Sequence, residues 1–102
     1  MSTAGSFPWS VSTPEGPQAR GTCEFIVVPT TRGELGILAG HAALAACVVP
    51  GELRVTSGGV VRSYRVGTGL VEVIDDTVRL LMGAAPPAAP APRSRLESTG
   101  PA

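Results

Sequence analysis

The side chains best suited to bond-making chemistry in this chain are two cysteines and one histidine, Cys23, Cys47 and His41. A structural zinc site needs three or four nitrogen and sulfur ligands, and these residues show no paired short spacing. Nucleophilic catalysis by a thiol needs a base beside it, and no pattern places His41 next to either cysteine. We therefore predict two reduced cysteines buried in the core, with no metal site and no disulfide.

Two further motifs resemble fragments of known sites. Asp75-Asp76 is a candidate carboxylate pair, but a double aspartate between strands is typical of a solvated turn, because Asp hydrogen-bonds its own backbone there. Gly67-Thr68-Gly69 resembles part of a phosphate loop, yet no helix follows whose N-terminus would bind the anion. Since no catalytic set emerges, the sequence predicts a protein that is not an enzyme and has no cofactor.

The segment from Arg32 to His41 (RGELGILAGH) is the best candidate for a contact surface. Its three glycines predict backbone turns that other residues do not readily make. On a rigid scaffold such a segment would form an exposed contact surface. The simpler alternative is a corner between strands, in which His41 bonds nearby backbone and Glu34 is a solvated charge.

Short strands with frequent turns must position these residues. Alternating apolar and polar residues, with turns at Thr13–Gly16, Gly58-Gly59 and Asp75-Asp76, predict an all-β sandwich of about eight to ten strands. Residues 42–49 fit helix or strand by pattern, and the glycine and proline at their ends favour a strand. The predicted strands are 7–12, 18–20, 22–28 (covered on both faces), 34–38, 42–49, 52–57, 60–66, 70–74 and 77–82.

Composition limits the domain and its partners. The 102 residues predict one domain at 7–83, after a disordered N-terminus at 1–6 and before a flexible, Pro/Ala-rich tail at 84–102. Eight arginines balance eight acidic residues, which argues against nucleic-acid binding because that relies on excess positive charge. No apolar stretch has the ~20 residues needed to span a bilayer. The start of the chain does not match a secretory signal, so the cytosol is the default compartment.

Five motifs, in order and with matching spacing over about residues 7–83, resemble the ε subunit of F-type ATP synthases. They are TPEG at 13–16, IVVP at 26–29, GELGILAGH at 33–41, PGELRV at 50–55 and GLVEV at 69–73. The resemblance implies a ten-stranded β-sandwich at the foot of the rotating central stalk, peripheral to the cytoplasmic face of the bacterial inner membrane. Its partners would be the γ subunit and the c-ring, and its role would be mechanical coupling during ATP synthesis.

The family's contact residues carry over to the GELGI segment and the corner that follows it. Glu34 would lie against the polar loops of the c-ring, and His41 would lie in the corner near γ and the ring. The implied contact set is Arg32, Gly33, Glu34, Leu35, Gly36, Gly40, His41 and Ala42.

The sequence departs from the family at this corner and at its end. Ala39 and Ala43 stand where proline is usual, and losing two prolines predicts a looser corner. Instead of the helical hairpin of many ε subunits, the sequence continues into the Pro-rich tail, so we expect neither ε-type inhibition nor nucleotide binding. We also expect deletion of residues 85–102 to leave the unfolding temperature almost unchanged. A free-standing β-sandwich adaptor without the c-ring contact stays open as an alternative, as does the coupling ion, proton or sodium.

Overall fold

The computed structural model describes residues 5–83, which form nine β-strands and no helix. The strands are β1 (Phe7–Thr13), β2 (Gly16–Cys23), β3 (Phe25–Thr30), β4 (Gly33–Leu38), β5 (Leu44–Val48), β6 (Gly51–Ser57), β7 (Val60–Val66), β8 (Gly69–Ile74) and β9 (Thr77–Met82). The all-β prediction is confirmed, with nine strands here rather than the ten that the family resemblance implied. The predictions for residues 1–4 and 84–102 lie outside the described residues. Over residues 5–83 no helix is long and apolar enough to cross a membrane.

The strands form one sheet that curls into two packed layers. Its order is β2-β1-β9-β8-β5-β3-β6-β7, with β4 paired to the other edge of β3. All neighbouring strands are antiparallel except β1 and β9, which are parallel. Where the layers meet, the rings of Trp9 on β1 and Tyr64 on β7 lie 5.2 Å apart at 59°. Because such tilted ring pairs add to the apolar area buried, this contact helps hold the layers together.

Alternation along the strands builds the core between the layers, because successive strand residues point to opposite faces. Phe7, Trp9 and Val11 are buried on β1, while the residues between them are more exposed. The inward assignment of Leu53 and Val55 on β6 is confirmed. The core also takes one face of β8 and β9, through Val71, Val73, Val78, Leu80 and Met82.

The predicted continuous strand 22–28 is wrong, because the chain changes layer at Glu24. The backbone N–H of Glu24 donates to the carbonyl of Thr56 at 2.9 Å, and its carboxylate accepts from the N–H of Gly58 at 2.9 Å. Cys23 therefore ends β2 in one layer, and Phe25 begins β3 in the other with 36% of its surface exposed. The strand predicted at 18–20 does lie at the edge of the sheet, but it is longer than predicted, since β2 runs over eight residues.

The turn predictions are confirmed. Gly58 and Gly59 both have positive φ, 60° and 80°, as a tight two-residue hairpin turn requires. Thr13 closes the β1–β2 turn, since its hydroxyl oxygen accepts a hydrogen bond from the N–H of Glu15 at 3.2 Å. The ambiguous segment 42–49 is strand β5, shortened to Leu44–Val48.

Candidate functional site

Strand β4 separates the predicted contact residues into two groups. Arg32 lies in the β3–β4 turn, and Gly33, Glu34, Leu35 and Gly36 lie on β4. Gly40, His41 and Ala42 follow the far end of the strand. Six strand residues span roughly 17 Å at about 3.3 Å each, so Arg32 and His41, which lie beyond opposite ends of β4, face different parts of any partner. We call residues 38–43 the His41 corner.

A groove of about 610 Å³ lies at the first end of β4. It arises because β5 follows β8 away from β3 and pairs with β3 only at Thr30 and Val48. Pro50 helps to redirect the chain there, since it has no N–H for a ladder. Thr30–Leu35 line one side of the groove and Leu44–Cys47 line the other. We call this space the β4–β5 groove; it includes four of the eight predicted contact residues.

The buried hydroxyl of Thr30 fixes the β3–β4 turn that forms the rim of this groove. It donates to the carbonyl of Gly33 at 2.6 Å and accepts from the N–H of Arg32 at 3.1 Å. Gly33 adopts a φ of 103°, which L side chains rarely adopt. Arg32 is therefore held at the rim by a turn with internal hydrogen bonds rather than by an open loop.

Glu34 forms a two-point ion pair with Arg54 of β6, reaching across β3. The guanidinium nitrogens of Arg54 donate to the two carboxylate oxygens of Glu34 at 3.0 Å and 3.1 Å. Register places Val27 of β3 beside Arg54, and Val27 is buried although it lies on the outer face of its layer. The pair thus covers an apolar residue, and Glu34 is neither a loop residue nor a free solvated charge.

Hydrogen bonding from Arg54, then its positive charge, lowers the pKa of Glu34. A lowered folded-state pKa gives a stabilising contribution that is present at neutral pH and is lost as pH falls through that pKa. Both side chains are more than a third exposed, so we expect salt to screen the contribution.

We expect Arg54→Met to raise the pKa of Glu34 towards its ordinary range, as read from carboxyl carbon shifts in an NMR titration. Arg62→Met is the matched control, because it removes the same charge from the neighbouring strand β7 at an exposed position. An equal shift in both variants would show that the whole charge distribution, and not the Glu34–Arg54 pair, sets the pKa.

The His41 corner is closed by its own backbone and by one distant side chain. The N–H of His41 donates to the carbonyl of Leu38 at 3.2 Å, and its Nδ1 lies 2.8 Å from the carbonyl of Ala42. A carbonyl only accepts, so Nδ1 carries a proton. The N–H of Gly40 donates to Oδ1 of Asp76, in the β8–β9 turn, at 2.6 Å.

Sequence reasoning missed the parts played by Arg54 and Asp76. The alternation over 52–57 does place Arg54 on an outward face, and the double aspartate does predict a turn. Neither pattern gives the strand order, which alone puts β6 next to β3 and the β8–β9 turn next to the corner. Among residues 5–83, no three side chains of His, Cys, Asp and Glu meet in a group that could hold a metal ion.

The two cysteines have different environments, so the prediction of two buried thiols is half wrong. Both are free; Cys23 is fully buried, whereas Cys47 is exposed and lines the β4–β5 groove. The cause is the strand period, since Cys47 precedes the buried Val48 on β5 and points the other way. Burial raises the pKa of the Cys23 thiol to about 11.

We expect iodoacetamide to modify one cysteine per native molecule, because the thiolate is the reactive form and Cys23 is buried and protonated. Peptide mass mapping should find the label on Cys47, and denaturant should bring Cys23 to equal labelling. Native labelling of Cys23 at the rate of Cys47 would contradict the packing of β2.

Comparison with known proteins agrees with this architecture. Residues 6–88 match the family model of the ATP synthase delta/epsilon chain β-sandwich domain. The chain is 39% identical over 84 residues to an ATP synthase epsilon chain of Desulfitobacterium hafniense, covering 82% of this chain and 64% of that protein. It is 37% identical over 79 residues to the epsilon chain of Ruminococcus albus, covering 78% and 59%. The chain thus spans less than two thirds of either relative.

Solved structures give the same result. A chain in the Euglena gracilis mitochondrial ATP synthase, in a structure of OSCP, F1 and c-ring, aligns with a TM-score of 0.69 at 26% identity. This match covers 76% of the chain and 51% of the Euglena chain. A chain of the Tetrahymena thermophila central stalk and c-ring shares the fold, with a TM-score of 0.62 at 19% identity. The protein therefore belongs to the family of ATP synthase delta/epsilon β-sandwich domains.

Proposed function

We propose that this protein is a central-stalk subunit of an F-type ATP synthase. In that role it would bind the γ subunit and the c-ring and transmit ion-driven rotation to the catalytic head. The observation that carries the proposal is the match to epsilon chains over nearly the whole described sandwich. The described site also suits binding rather than catalysis, because it offers a groove and a closed corner and no nucleophile–base pair.

Transmission of torque needs a body that does not deform, and the described domain has this property. Its two layers share one close-packed core, and such interiors have low compressibility and transmit strain. The β4–β5 groove and the His41 corner lie at opposite ends of one hydrogen-bonded strand, β4. A load applied at one end would therefore reach the other through the strand ladder.

We assign the two ends of β4 to the two partners as the family resemblance implies. Glu34 and the rim residue Arg32 would face the polar loops of the c-ring, and His41 with Gly40 and Ala42 would face γ and the ring. The subunit would then lie at the cytoplasmic face of a bacterial membrane and touch the membrane only through the complex. The coupling ion would be selected in the ring rather than by this chain.

One observation favours the second candidate, an adaptor of the same fold without a c-ring contact. Glu34 already has an intramolecular partner in Arg54, at 3.0 Å. A contact with a basic ring loop would have to share this carboxylate or break the pair. The adaptor would use the same corner but would need no contact at Glu34.

Co-expression with the γ subunit of the same organism tests the proposal. We expect a one-to-one complex in size-exclusion chromatography. The rate at which iodoacetamide labels Cys47 in this complex then reports whether the β4–β5 groove is covered. Formation of that complex would make Glu34→Ala, assayed for ATP-driven proton pumping against ATP hydrolysis in membranes, the test of the ring contact. No complex at micromolar concentrations would reject the stalk role and leave the adaptor.

A further inference from the structure

The second residue of the β8–β9 turn is an aspartate at a position where turns of this geometry usually have glycine. Asp75 and Asp76 have φ values of 51° and 57°, and within residues 5–83 they are the non-glycine positions with positive φ. The β6–β7 turn has the same positive-φ pair and is built from two glycines, Gly58 and Gly59. Two-residue hairpin turns of this kind prefer Asn-Gly, Asp-Gly or Gly-Gly, so Asp75 is an ordinary first residue and Asp76, where glycine is usual, needs a further explanation.

Asp76 has a contact that glycine would lack. Its Oδ1 accepts a 2.6 Å hydrogen bond from the N–H of Gly40, 36 positions earlier in the sequence. Gly40 itself has a φ of 80° and lies in a turn outside the strands, so no ladder partner determines its conformation. Ala39 and Ala43 do not lock φ beside this turn as proline would. The carboxylate of Asp76 thus ties Gly40 to the β8–β9 turn, in addition to the packing of Ala39 against the core.

The two elements that meet at this hydrogen bond both end in exposed apolar side chains. Leu38 is the last residue of β4 and is 59% exposed, and Ile74 is the last residue of β8 and is 51% exposed. Leu38 lies two positions before Gly40, and Ile74 lies two positions before Asp76. An exposed apolar residue at each strand end is suited to a partly apolar protein partner.

We propose that Asp76 is a positioning residue that holds the His41 corner in the conformation that binds γ; this rests on the proposed function. Asp76 acts through the backbone of Gly40 and does not itself touch the partner. The less favourable turn geometry is retained because the side chain at position 76 must reach the corner.

Three variants distinguish the effect of the Asp76–Gly40 hydrogen bond from the effects of turn geometry and of the charge on Asp76. Asp75→Gly relaxes the turn and keeps the carboxylate, Asp76→Gly relaxes the turn and removes the acceptor, and Asp76→Asn keeps an oxygen acceptor without the charge. The readouts are hydrogen exchange of the Gly40 N–H by NMR on the free protein, and affinity for the γ subunit by titration calorimetry.

We expect Asp76→Gly to speed Gly40 exchange by about tenfold or more, as for the loss of a hydrogen bond to a charged group. The same variant should weaken γ binding several-fold without lowering the unfolding temperature. Asp75→Gly should leave the Gly40 exchange rate and the γ affinity within twofold of the unmodified protein. Asp76→Asn should keep most of the protection and affinity that Asp76→Gly loses. This pattern supports the proposal.

The proposal is overturned if Asp76→Gly leaves Gly40 exchange or γ affinity unchanged. It is overturned equally if Asp76→Asn behaves like Asp76→Gly, which would assign the effect to charge alone. Failure of the unmodified protein to bind γ would reject the stalk role, whereas the exchange rates would still decide whether Asp76 holds the corner.

Discussion

Gly69→Ala is expected to destabilise the sandwich by about 2–4 kcal/mol, at the upper end for an overpacked site. A Cβ at Gly69 would overlap the carbonyl oxygen of Leu81 and lie 3.0 Å from the Cα of Met82. These atoms are backbone of β9, which cannot yield as the end of a flexible side chain would. Gly69 also pairs with Val48 on its other side, so β8 is held between two neighbours at this position.

Chemical denaturation and thermal melting of Gly69→Ala should show this loss, with a fall of roughly 10–30 °C in the unfolding temperature for a domain of this size. Gly67→Ala is the matched control, because no heavy atom other than those of Gly67 and its two chain neighbours lies within 4 Å of a Cβ built there. Equal stability of the two variants would mean that β8 and β9 shift apart at no cost, contrary to the observed register.

Leu80→Ala is expected to cost about 2–5 kcal/mol, the range for truncating a fully buried leucine. Leu80 is 1% exposed and lies in the core, and Val11 is its parallel partner on β1. The truncation leaves a cavity where both layers meet. Because β9 lies between β1 and β8, its neighbours are held by two ladders and cannot easily collapse into the space.

Leu81→Ala is the control for this prediction, since Leu81 follows in the same strand, has the same side chain and is 44% exposed. Leu81→Ala should change the free energy of unfolding by no more than about 0.5 kcal/mol, as for most surface substitutions. Urea unfolding curves, analysed with the same dependence of free energy on urea concentration for both variants, give the difference in their unfolding free energies. A larger loss for Leu81→Ala would mean that β9 presents the opposite face to the core.

Fold class and strand positions were accessible from sequence because they rest on local chemistry. The Gly58-Gly59 pair requires a tight turn, and the alternation over 52–57 allows only one face to be buried. The break at Glu24 was not accessible, because the apolar pattern continues through it from Cys23 to Val28. What creates the break is a pair of hydrogen bonds to Thr56 and Gly58, more than thirty residues away.

In the candidate site too, local features were predictable from the sequence and long-range contacts were not. The RGELGILAGH segment was identified from its glycines and from the family resemblance, and the structure places it on β4 and the turns at its ends. Its partners within the fold are Arg54 of β6 and Asp76 of the β8–β9 turn, both far along the chain. Their contacts depend on sheet order and register, which a single sequence with short strands does not specify.

The position of β9 between β1 and β8 has a consequence for synthesis of the chain. Strand β1 cannot complete its pairing until β9 has been synthesised, since β1 gains its parallel neighbour only when residues 77–82 have left the ribosome. Until then the β1–β2 hairpin has one unpaired edge, and an isolated hairpin is marginal in water. Long-range closure of this kind slows folding, so the domain should form after translation of all nine strands rather than progressively from its N-terminus.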